Sequence, residues 1–141
     1  MNAQPENQFD FWLGEWDIHW GENNHATNLV EKILDGKVIQ ENFMAPDLKG
    51  ISVSCYDPER SLWCQTWVDN NGTYLDFTGK FEDNKMIFQT NPFAFSKDTL
   101  AIRRMTFFNL GPDKVRQFGE ISKDNGKVWV AEFDLEYRRR K

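Results

Sequence analysis

Signals for chain reversal recur at short, regular intervals along this 141-residue chain, and they leave little room for a long helix. They are Gly21-Glu22-Asn23-Asn24, Asp35-Gly36, Pro46-Asp47, Asp57-Pro58, Asn70-Asn71-Gly72, Glu82-Asp83-Asn84, Asn91-Pro92, Gly111-Pro112-Asp113 and Asp124-Asn125-Gly126. Gly and Asn tolerate left-handed backbone, Pro presets its φ, and Asp and Asn side chains bond their own turn. Short segments between evenly spaced turns read as an antiparallel β-meander. About ten strands are predicted: 15–20, 26–34, 37–44, 50–56, 61–69, 73–79, 84–90, 99–108, 114–122 and 127–138. Only Pro5 to Leu13 reads as helix, one or two turns with Phe9, Trp12 and Leu13 on its apolar side.

The last segment alternates most clearly. Trp129, Ala131, Phe133, Leu135 and Tyr137 fall on one face, and Val128, Val130, Glu132, Asp134 and Glu136 on the other. A period of two means that one face packs and one meets water. A sheet of so many strands has edges to hide, and closing it into a barrel removes them. The expected fold is all-β, a meander closed into a barrel of about ten strands with a short N-terminal helix, in one domain over residues 1–141. A two-sheet sandwich is the structural rival. A barrel of this size is wide enough to hold a small ligand.

Aromatic residues make up 15% of the chain, chiefly 12 Phe and 6 Trp, which suits half-buried pleated surfaces. The net charge of −5 and the absence of a basic face argue against a nucleic-acid partner. The run Arg138-Arg139-Arg140-Lys141 reads as a solvated tail. No apolar stretch approaches the ~20 residues of a membrane-spanning helix. The opening MNAQPENQFDFW lacks a basic segment followed by an apolar one, so a cytoplasmic location is expected. The two Cys and two His show no zinc-ligand spacing, and no metal or cofactor is expected. If Tyr56 opposes Ser61 across the turn, Cys55 and Cys64 are diagonal neighbours roughly 7–8 Å apart, too far for an unstrained disulfide.

Phe9-Asp10-Phe11-Trp12-Leu13-Gly14-Glu15-Trp16 resembles the opening of bacterial lipocalin-like domains of uncharacterised function. In calycin barrels a Gly-x-Trp motif starts the first strand, and an Arg near the end of the domain packs on its Trp. The resemblance implies that Trp16 closes one end of the barrel, with Arg138, or its neighbour Arg139, upon it. Similarity continues through Trp63-x-Gln65-x-Trp67-Val68-Asp69 with Gly72, and through Arg116-Gln117 to Glu120-x-Ser122. The chain departs from secreted lipocalins in lacking a signal and a disulfide. It also lacks a C-terminal His suited to haem ligation. The resemblance implies an interior cavity and carries no assigned chemistry.

Period two places Trp63, Gln65 and Trp67 on one face. A three-residue loop at Asn70-Asn71-Gly72 sets Trp67 beside Leu75 and Gln65 beside Phe77. The preceding strand adds Ser52, Ser54 and Tyr56. Large aromatics with a few hydrogen-bonding groups are what small-molecule pockets use. The opposite face, with Ile51, Val53, Cys55, Leu62 and Val68, also makes a respectable core stripe. The Trp face is expected inward, because burying two indoles removes more apolar area. Glu41, between Ile39 and Phe43, is a candidate interior charge. Of the adjacent Arg103 and Arg104, alternation sends one inward, and Arg104 is taken as that one, paired with Glu41 and with Glu120 nearby. A buried charge without a partner costs several kcal/mol. The expected ligand-binding set is Tyr56, Trp63, Gln65, Trp67, Glu41, Arg104, Gln117 and Glu120.

Ser122-x-Asp124-x-Gly126-x-x-Trp129 resembles an Asp-box, read here as a turn staple. His19 and His25 are expected on the surface, and no catalytic triad or phosphate-cradling loop occurs. Asp69 and Asp76 read as turn residues. Three functions fit. One is a carrier or sensor for a small apolar or aromatic molecule. Another is an isomerase, cyclase or hydrolase using Glu41 or Glu120 in the cavity. The third is a homodimeric interaction module with outward aromatics such as Phe107 or Phe118.

Overall fold

The computed structural model describes residues 4–141, so Met1 to Ala3 of the domain lie outside the described residues. The chain forms β1 (Gly14–Trp20), β2 (Asn24–Ile33), β3 (Val38–Met44), β4 (Lys49–Asp57), β5 (Leu62–Asp69), β6 (Tyr74–Glu82), β7 (Lys85–Gln89), β8 (Phe93–Ser96), β9 (Thr99–Asn109), β10 (Lys114–Ser122) and β11 (Val130–Arg139). Each strand in the meander from β1 to β7 pairs antiparallel with the next. β7 pairs β9, β9 pairs β10, β10 pairs β11, and β11 returns to β1. Ten strands therefore close on themselves, and the sandwich alternative is excluded.

β8 lies outside this ring, on the first half of β9, with Phe93 opposite Ala101. The sequence reading missed it, because Asn91-Pro92 interrupts what would otherwise prolong β7. The last strand begins at Val130 rather than at 127 because the preceding turn is wound on its own side chains. Ser122 Oγ donates to Asp124 Oδ1 at 2.8 Å, and the Gly126 and Val128 amides donate to Ser122 Oγ and Asp124 Oδ1, both at 2.8 Å. The Asp-box is a staple, as read.

The N-terminal segment is two single 3-10 turns, Pro5–Asn7 and Asp10–Trp12. It plugs one end of the barrel. Phe9 is fully buried, stacked on Trp12 with ring centroids 4.7 Å apart and edge-on to Phe107 and Trp63 at 5.0 and 5.8 Å. Trp16 donates its indole N–H to the Trp12 carbonyl at 2.8 Å, tying β1 to the plug. Buried aromatics of this kind supply the largest apolar area at that end.

Arg139, not Arg138, covers Trp16. Its guanidinium lies 4.2 Å from the ring centroid and donates to the Leu13 carbonyl at 2.7 Å. Arg139 is directly opposite Trp16 across β11 and β1, whereas Arg138 falls on the outer face, paired with Glu136 at 2.8 Å. Any side chain at Gly14 would collide with that guanidinium, and its backbone φ of +134° is closed to other residues.

The β5–β6 register is the one predicted: Trp67 opposite Leu75 and Gln65 opposite Phe77. Across β4 and β5 the register differs. Asp57 opposes Leu62, so Cys55 opposes Cys64 directly. The loop is Pro58 to Ser61, wound around Asp57, whose carboxylate accepts the Glu59 amide at 3.0 Å and the Arg60 side chain at 2.7 Å. The two thiols are free. Directly opposed strand residues lie ~4.5–5.5 Å apart at Cα, so separation does not forbid a bridge as the diagonal register implied.

Candidate functional site

A cavity of about 650 Å3 occupies the end of the barrel opposite the plug. Its size falls within the roughly 300–1,000 Å3 of ordinary ligand pockets. It exists at this end because β1 stops at Trp20 and its pairing with β11 reaches only His19 opposite Glu136. The first half of β11, with Phe133 and Leu135, borders the opening instead of closing it. Two glycines make room for rings. A Cβ at Gly50 would lie 2.2 Å from the Trp67 indole, and one at Gly119 would lie 2.3 Å from the Phe133 ring. The Trp67 indole is held by its N–H, which donates to Asp69 at 2.9 Å. Asp69 also accepts the Asn71 amide at 2.9 Å, so the turn residue positions the cavity wall.

The polar floor is a hydrogen-bonded chain through Glu41 with a separate Gln65–Ser54 pair beside it. Glu41 is buried and accepts from Ser52 Oγ at 2.7 Å and from Asn28 Nδ2 at 2.6 Å. Asn28 also donates to the Tyr137 hydroxyl at 3.2 Å, and Tyr137 donates to Gln117 Oε1 at 2.7 Å. Gln117 donates to Met105 Sδ at 3.0 Å, and Gln65 to Ser54 Oγ at 2.9 Å. Burial pushes the Glu41 carboxyl up to about 7, against the pull of its hydrogen bonds from Ser52 and Asn28. Burial, with Glu41 nearby, raises Tyr137 well above the ordinary phenol range.

The structure sorts the predicted residues into two groups. Glu41, Gln65, Trp67, Arg104, Gln117 and Glu120 border the cavity. Tyr56 and Trp63 do not. They face inward, but at the plugged end, where Trp63 donates to Gln8 at 3.1 Å and packs against Tyr56 and Phe9. The strands run the full height of the barrel, so one inward stripe serves both the core and the cavity.

The expected Glu41–Arg104 pair is not formed. Arg104 shares its strand face with Ile102 and Thr106, away from the core residues Met105 and Phe107. It pairs with Glu120 at 3.1 Å and stacks on Trp129 at 4.0 Å. The inward arginine is Arg103, which pairs with Glu132 at 3.0 Å and lies 4.8 Å from the Phe93 ring centroid. Phe107, offered as an outward aromatic, is fully buried in the core. Phe118 is half-buried beneath Arg116 at 4.6 Å.

Asn28, Tyr137, Trp20, Phe133 and Arg103 belong to the site and were absent from the predicted set. Asn28 had a signal in the sequence, since it alternates with Ala26 and Val30. Among the described residues no cluster of three or more His, Cys, Asp or Glu side chains is arranged to hold a metal. His19 and His25 oppose one another on the outer face of β1 and β2. Among the described residues no helix is long and apolar enough to cross a membrane.

The chain matches no family model and no curated protein. The lipocalin-like resemblance therefore has the closed antiparallel barrel as its structural counterpart, compatible with that fold.

Proposed function

We propose that this protein is a lipocalin-like carrier or sensor of the cytoplasm that binds a small molecule with an apolar or aromatic body inside the barrel. The observation that carries the reading is the cavity of about 650 Å3, walled by Phe43, Trp67, Leu75 and Phe77 over a floor of few, fully hydrogen-bonded polar groups. That mixture suits a guest that buries rings against rings and makes one or two directed hydrogen bonds.

The neutral fluorophore N-phenyl-1-naphthylamine tests it. Its emission is expected to rise saturably, at one site per chain. Trp67→Ala is expected to weaken binding about tenfold, equivalent to ~1.4 kcal/mol, as one stacking surface is lost. A substitution at exposed Tyr74 leaves binding unchanged. A non-saturable rise, or full affinity in Trp67→Ala, would overturn the reading.

A second reading, acid–base catalysis on the guest, is favoured by one feature: a carboxyl titrating near neutrality inside a cavity is suited to moving a proton. The two readings part on whether a bound molecule is recovered unchanged.

A further inference from the structure

Glu41 is the charge in the cavity that the fold leaves uncompensated. The arginines at the mouth are each matched to an acid, Arg103 to Glu132 and Arg104 to Glu120, and Arg116 on the outer face of β10 is matched to Asp134. Among the described residues no Lys, Arg or His nitrogen lies within ion-pair distance of Glu41. Its two hydrogen bonds are both donated to it by neutral groups, Ser52 and Asn28, as an ionised carboxylate requires. Asn28 also donates to the Tyr137 hydroxyl, which donates onward to Gln117, so Tyr137 offers Glu41 no donor and Ser52 and Asn28 are its donors. A buried carboxylate with donors in place and no cation is costly by itself. The walls above it are aromatic: Phe43 and Trp67 meet edge-on at 6.0 Å, with Phe77 alongside. Ring faces attract cations, most strongly where water is excluded.

We propose that the guest of this cavity is an organic cation, a protonated amine on an apolar or aromatic body, whose nitrogen supplies the missing countercharge to Glu41. The proposal rests on the cavity being a binding site and adds the charge of its occupant. An anionic guest would meet Glu41 with no free arginine to hold it. A neutral guest would leave the carboxylate as it found it.

The pH dependence follows from the groups that face Glu41. Tyr137, from β11, is held neutral by its raised ionisation. The inner faces of β4, β5 and β10 bring Ser52, Gln65 and Gln117, none of which titrates. Lys32 of β2 is held by Asp10 at 2.9 Å, on the plug. The charged groups of β9, β10 and β11 at the mouth are the pairs named above. Ionisation near neutrality in the cavity is thus that of Glu41.

The experiment is competition against bound N-phenyl-1-naphthylamine by three molecules with one body: 2-naphthylmethylamine, 2-naphthylmethanol and 2-naphthoate. The amine is expected to displace the fluorophore at about tenfold lower concentration than the alcohol, and the carboxylate least well. The amine's affinity is expected to rise about tenfold from pH 6 to pH 8 as Glu41 ionises, while the alcohol's stays level. Glu41→Gln is expected to abolish both the preference and the pH dependence, each read against the fluorophore affinity measured in that variant. The pH series on the unaltered protein keeps the test intact if that variant does not fold. Equal displacement by amine and alcohol, or a preference that survives in Glu41→Gln, overturns the proposal and leaves the cavity reading standing. Failure of the fluorophore to bind overturns both.

Discussion

Between Asn28 and Ser52 the Glu41 carboxyl exchanges bulk water for two hydrogen bonds, and the exchange favours its protonated form. Unfolded, it titrates near its ordinary 4.5; folded, near about 7. Between those values the folded chain holds a proton that the unfolded chain has released, so this group's contribution to stability is present below pH 4.5 and is lost as pH rises to 7. The loss is on the order of 3 kcal/mol. Urea unfolding of wild type and Glu41→Gln at pH 5 and pH 8 reads it directly. Wild type is expected to lose stability relative to the variant on going to pH 8, and a constant difference would contradict the burial argument. At this scale the sequence was uneven. Glu41 was legible because it alternates with Ile39 and Phe43. Arg103 was not, because both parities of β9 carry apolar residues: Ala101, Met105 and Phe107 on one, Ile102 and Phe108 on the other. Only the pairing with β10, which puts Phe107 beside Gln117, decides between them.

The seam between β1 and β11 shows what alternation within a strand can settle. Tyr137 is inward, so Arg139, two residues on, shares its face and reaches Trp16, while Arg138 meets solvent. That choice could have been made from the sequence once Tyr137 was placed inside. Arg139→Ala removes the contact with Trp16 and the bond to the Leu13 carbonyl, and is expected to cost about 2 kcal/mol in chemical denaturation. Arg138→Ala is expected within ~0.5 kcal/mol of wild type. A reversed order would contradict the closure described. Turn chemistry was the less legible part of the elements. The four-residue loop sits one residue further along, at Pro58 to Ser61 in place of Asp57 to Arg60, which moves Cys55 opposite Cys64 without turning either strand over. A shift of two in pairing preserves faces, so the inward set survived an error that misplaced the thiols.

The whole molecule is a barrel with unlike ends. Phe9, Trp12, Trp63 and Phe107 fill one, and the other is left open where β1 falls short of β11. Closure itself was legible, since many short alternating strands have no other way to hide their edges. The division of the interior was not, because it depends on how far the N-terminal segment reaches in, and no local pattern reports that. Hence Trp63 and Trp67, two turns of the pleat apart on one stripe, serve different ends. The most direct measurement of the account is a crystal structure of the protein grown with 2-naphthylmethylamine. Naphthalene density is expected beside Trp67 and Phe77, with the nitrogen ~3 Å from a Glu41 carboxylate oxygen. An occupied outer surface with an empty interior, or an interior filled by Trp67 and Phe133 themselves, would contradict it.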